Sequence, residues 1–148
     1  MATRFSEWLL CPENQQESFR SPWVPYWVDR KKFELFWSKD TGGYIPAGED
    51  SYLQAPYFGH LKGKSCFFIG RAYFDESKRK ISFSGGRHRT RWYIDTYMPI
   101  LIPLGLPEKS FAAGKKCGLI IREVEPNESI NLRVSWQDIE EERKYYRS

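Results

Sequence analysis

The chain is short of several features that would have decided its class. No apolar run in its 148 residues approaches the ~18 needed to cross a bilayer. Membrane insertion is therefore not expected. The apolar patch Trp8 to Cys11 stops at Pro12 and is too short for a secretory signal, whose apolar region runs roughly 7–15 residues. A cytoplasmic protein is the expectation. Cysteine is scarce: Cys11, Cys66 and Cys117 are far apart, odd in number and form no CxxC pair. That spacing indicates neither a zinc site nor a disulfide framework, so reduced, buried thiols are expected. No GxxxxGK[ST] loop, helix-turn-helix pattern, internal repeat or low-complexity segment occurs. Acidic residues are missing from the most basic stretch. From Lys78 to Arg91 the chain carries Lys78, Arg79, Lys80, Arg87, His88, Arg89 and Arg91 without a single Asp or Glu.

The bulk composition, 41% hydrophobic and 28% charged, is that of an ordinary globular domain. The length suits one domain with a modest core. Net charge is only +4, so the distribution of cations matters more than their number. Aromatic residues reach 17%, with six tryptophans spread along the whole chain. Packing explains them more economically than base stacking, because nothing in the sequence places them on one exposed face.

Element signals alternate between strand and helix. Residues 1–20 read as an extension. Residues 21–28 are rich in β-formers but hold Pro22 and Pro25, which predicts an edge strand. Asp29 can cap a helix whose Phe33, Phe36 and Trp37 share one face. Residues 44–63, which include His60, read as a long irregular connection. Strands are expected at 65–69, 71–74 and 80–84, the last two forming a hairpin around Asp75 to Arg79. After Gly85-Gly86 comes a helix from Arg87 to Tyr97. Further strands are expected at 100–104, 119–121 and 130–134, with a helix from Pro107 to about Lys116 and a charged helical tail near 140–144. The class is α+β: a small mixed sheet with flanking helices.

The chemistry concentrates on Ser84-Gly85-Gly86-Arg87-His88-Arg89-Thr90. A strand, a glycine turn and then a helix make a good anion site. The helix start presents unpaired N–H groups and a partial positive charge, and glycine lets backbone approach a phosphate. Cations in a first helical turn face the positive end of the dipole. Their presence makes sense if an anion neutralises them. A solvated basic face remains the alternative on chemistry alone.

Lys80 to Arg89 also resembles the strand–turn–helix signature of the ParB/sulfiredoxin superfamily, in Phe83, Gly85, Gly86, His88 and Arg89. The fuller string Phe83 to Trp92, with its tryptophan-rich flanks, is similar to the plasmid fertility inhibition group of that superfamily, which includes the Osa and FiwA proteins. The resemblance covers most of residues 20–106 and is specific in 80–92. It implies one domain: an N-terminal extension (1–20), a ParB/sulfiredoxin-like core (21–106) and a C-terminal elaboration (107–148). It implies ATP hydrolysis and DNA cleavage, and blockage of DNA transfer through a type IV secretion system, whose coupling protein would be the target. Nucleotide contacts would fall on Ser84, Gly85, Gly86, Arg87, His88, Arg89 and Thr90. Arg87, His88 and Arg89 would hold the developing phosphoryl charge of ATP with Mg²⁺. DNA would meet Lys78, Arg79, Lys80 and Arg91.

One departure matters. In sulfiredoxin a catalytic cysteine lies between the glycines and the histidine, and Arg87 stands there in this chain, so sulfinic acid reduction is not expected. No metal-binding carboxylate identifies itself. Asp75 and Glu76 are the nearest upstream, while Arg91 and Asp95 at i,i+4 read more simply as a surface ion pair. The rival to an ATPase and DNase is a non-enzymatic nucleotide- or DNA-binding inhibitor of the transfer coupling ATPase.

Overall fold

The structure, a computed structural model, describes residues 6–10, 23–49, 55–61, 64–126 and 128–132, together with positions 141 and 144. The strands in chain order are β1 (Ser6–Leu9), β2 (Trp23–Asp29), β3 (Phe58–Leu61), β4 (Lys64–Phe67), β5 (Arg71–Asp75), β6 (Lys80–Gly85), β7 (Leu101–Pro107), β8 (Ile120–Glu123) and β9 (Ser129–Leu132). The helices are α1 (Arg30–Trp37), α2 (Arg87–Tyr97) and α3 (Phe111–Lys116). Five strands form a mixed sheet in the order β6-β5-β7-β2-β8, and four form a second sheet, β3-β4-β1-β9. The α+β class holds.

The central strand β7 is buried along almost its whole length, while the β5–β6 hairpin buries one face by alternation. Ala72 and Ile81 are fully buried, whereas Tyr73 beside them is half exposed. Helix α1 covers that buried face. Its cap is Asp29, whose carboxylate accepts from the Lys32 N–H. Phe33 and Trp37 then meet Phe83 edge-on, and Phe36 stacks on Phe74. Helix α2 sends Trp92 and Tyr93 the other way, onto Phe58 and Phe67 of the second sheet.

Several expectations are corrected. The strand at 23–29 is interior, paired with both β7 and β8. Proline tolerates this because only one side of its backbone matters. The Pro25 carbonyl accepts from Val124 at 2.9 Å, so its missing N–H falls on the β8 side, beyond the Tyr26–Glu123 pair that starts that ladder. Residues 6–9, expected as part of an extension, form β1 against β9 and β4. The irregular connection contains a 3₁₀ turn at Ala55–Tyr57 and strand β3, which holds His60. Pro107 ends a strand, and α3 starts only after a 3₁₀ turn at Glu108–Ser110.

Cys66, expected as a reduced thiol, is disulfide-bonded. Leu9 of β1 stands opposite Cys66 of β4, so the sheet brings the N-terminal strand beside this thiol, an approach that sequence spacing hides. Cys117 is free. Cys11 and most of the charged tail lie outside the described residues. Among the described residues, no helix is long and apolar enough to cross a membrane.

Candidate functional site: a glycine turn at the start of a helix

The turn is built by a close backbone approach. Gly86 adopts φ +88° and caps α2 without any side-chain hydrogen bond. A Cβ there would lie 2.7 Å from the Gly70 Cα and 2.7 Å from Arg89 Nη2, so only glycine fits. The first turn of α2 contains no acidic residue. Its N–H groups and its dipole are left to whatever occupies the adjoining cleft.

That cleft has a volume of about 470 Å³ and is lined by Tyr57, Phe83, Ser84, Gly85, Gly86, Arg87, His88 and Arg89. Six of the seven residues expected to contact nucleotide are therefore gathered in one place. The seventh, Thr90, is not. It is buried, and its hydroxyl donates to the Gly86 carbonyl at 2.8 Å, beside the helical bond from its own N–H. Thr90 holds the turn from behind.

Arg89 is the cation that stands out. Its Nε is buried without a hydrogen-bond partner, and its Nη2 makes only a long contact, 3.4 Å, with the Ile69 carbonyl. Burial pulls its pKa down, and the nearby charge of Arg71 pulls it further. Among the described residues, no carboxylate pairs with Arg71, Arg87 or Arg89. Leaving a cation this poorly compensated is costly unless an anion completes the site.

Arg71 is the residue that sequence reading missed. It stands opposite Gly85 in the hairpin, at a bulge, and its Nη2 would lie 3.4 Å from a Cβ placed on Gly85. Pairing the two strands residue by residue, back from the glycines, would have found it. Arg87 lines the cleft but donates to the Gly43 carbonyl at 3.0 Å, tying the loop after α1 to the turn. His88 is exposed on the rim.

The other sequence candidates fall elsewhere. Arg91, expected to contact DNA, has no solvent exposure. Its guanidinium donates to the Ile45 carbonyl at 2.8 Å, pairs with Glu34 and Asp95, and lies over the Trp37 ring at 4.9 Å. It is a core cation, two residues past Arg89 and so on nearly the opposite side of the helix. The expected Arg91–Asp95 pair exists but is buried at its arginine end. Lys78, Arg79 and Lys80 sit at the hairpin tip, separated from the glycines by the length of β6, about 17 Å at ~3.4 Å per residue. Asp75 and Glu76 lie at that same far end. The Asp75 carboxylate accepts from the Ser77 hydroxyl and the Lys78 N–H, which hold its pKa below the usual range.

An anion fits this donor set. Among the described residues no carboxylate lines the cleft, and no cluster of three or more His, Cys, Asp or Glu suited to a metal occurs. No protein-family model, curated protein or solved structure matches this chain.

Proposed function

We propose that the chain binds a phosphate ester, first of all a nucleotide, on the Gly85–Gly86 turn. One observation carries the reading. Arg89 is held with a buried, unpartnered Nε against a glycine turn at an acid-free helix start. A phosphate oxygen would accept from that nitrogen and from the first-turn N–H groups, while Arg71 and His88 close the site from the strand and rim sides.

The likeness to the ParB/sulfiredoxin superfamily supplies the nucleotide, ATP, and a biological setting. On this proposal the protein is a fertility inhibition factor, with DNA and the coupling ATPase of a type IV secretion system as partners. The cleft favours binding over hydrolysis. His88 is the candidate proton acceptor by residue type, and among the described residues no carboxylate lines the cleft to hold Mg²⁺. ATPase and DNase activity are the second reading, resting on the resemblance.

Calorimetry with a non-hydrolysable ATP analogue tests the assignment. Charge-assisted hydrogen bonds contribute about 1.5–3 kcal/mol each, so Arg89→Ala should weaken binding by roughly tenfold or more. Unchanged affinity overturns the phosphate site. ATP hydrolysis and plasmid nicking, measured with and without EDTA, separate the two readings. Activity that neither EDTA nor Arg89→Ala alters removes the enzyme.

A further inference from the structure

The β5–β6 hairpin has an outer face that the phosphate reading leaves unused. Arg71, Tyr73 and Asp75 alternate along it on β5, opposite Gly85, Ser82 and Lys80. Tyr73 is 50% exposed. Its ring lies 4.9 Å from that of half-buried Trp23, at 54°. The Arg71 guanidinium sits 5.7 Å from the same Trp23 ring, while its other side reaches Gly85. One arginine thus joins the glycine turn to an aromatic surface. Beyond Tyr73, two residues further along the strand pair, come Lys80 and the tip cations Lys78 and Arg79.

We infer that this face is a binding track for single-stranded nucleic acid. A phosphate rests on the glycine turn between Arg89 and Arg71. The adjoining base stacks on Tyr73 and Trp23, and the strand continues toward the basic tip. The inference rests on the phosphate reading above and adds its ligand class. Charge complementarity argues for it: neither Arg71 nor Arg89 has a carboxylate partner among the described residues, and the tip carries three cations. The tip also holds Asp75, which accepts from the Ser77 hydroxyl and the Lys78 N–H, and Glu76, so Lys78, Arg79 and Lys80 leave it a net excess of one positive charge. The half-exposed Tyr73 ring offers an open face for sequence-tolerant stacking of an unpaired base, with the Trp23 ring tilted beside it. A duplex hides its base faces and could not use it.

Fluorescence anisotropy with a short labelled oligothymidylate, the same sequence as duplex, ADP and competing pyrophosphate tests the track. Wild type should bind the single strand more tightly than the duplex. Tyr73→Ala should weaken single-strand binding roughly tenfold, Tyr73→Phe should restore it, and pyrophosphate binding should stay unchanged in both. Circular dichroism checks that the variants fold. If Tyr73→Ala leaves single-strand binding intact, the track is overturned, even where Arg89→Ala abolishes pyrophosphate binding and so upholds the turn. If pyrophosphate fails to bind wild type, the phosphate reading falls with its own assay. A Tyr73 effect equally large on ADP assigns the platform to a free nucleotide and overturns the single strand.

Discussion

Gly86 and Gly85 are adjacent and look alike in the sequence, yet they answer to different constraints. Gly86 needs a left-handed backbone and has Gly70 at 2.7 Å from any added Cβ. Gly85 would meet only the end of the Arg71 side chain. Gly86→Ala should therefore cost about 2 kcal/mol or more, lowering the melting temperature by roughly 4–8 °C at this size. Gly85→Ala should change it little. Thermal unfolding of both variants checks the contrast. Glu128 offers a second test at this scale. It accepts two bonds from Arg122, one from the Glu125 N–H and one from Trp27 Nε1. These hold its pKa at about 2, against an ordinary 4.5. A depressed carboxylate stabilises the fold above the unfolded pKa, and that contribution disappears as pH falls through the folded one. Stability should thus decline between about pH 4.5 and 2, and Glu128→Gln should flatten that part of a denaturation–pH profile.

Helix α2 is pinned to α1 by Arg91, which bridges Glu34 and Asp95 and accepts its packing from Trp37 and Tyr44. Arg91→Met would keep most of the stem contacts and strand two carboxylates. The expected loss is about 3 kcal/mol, the lower end for breaking a buried pair, because both acids retain some contact with water. Urea unfolding measures it. At the same scale the hairpin and the glycine turn were legible in the sequence, since their signals are local: alternation, a polar turn, then glycines. Strands β1 and β3 were not. Each has four residues; the partners of β1 lie far away in the chain, and β3 pairs with β4 across a two-residue connection inside a stretch that reads as irregular. Pro25 of β2 misled because its effect depends on neighbours. Which side of a strand lacks a donor is set by strands the local sequence does not name.

For the molecule as a whole, the basic run from Lys78 to Arg91 is continuous in sequence and divided in space. One strand and one helical turn distribute it to a hairpin tip, a glycine turn and the core. The sequence placed the candidate residues of the turn together, and six of them line one cleft, but it could not show that Arg91 is buried in the core. Nor could it show the disulfide at Cys66, which depends on how the second sheet assembles. Reduction, or Cys66→Ser, should lower stability by about 2 kcal/mol or more. Melting curves with and without dithiothreitol would show the shift.

Arg71 and Arg89 carry like charges close to one another beside the glycine turn, with no carboxylate partner among the described residues. On the proposed reading, a bound phosphate would supply the counter-charge that this part of the fold lacks. Folding and recognition then draw on a single free energy. Whatever anion settles there makes the domain more rigid and more resistant to heat in proportion to how well it is held.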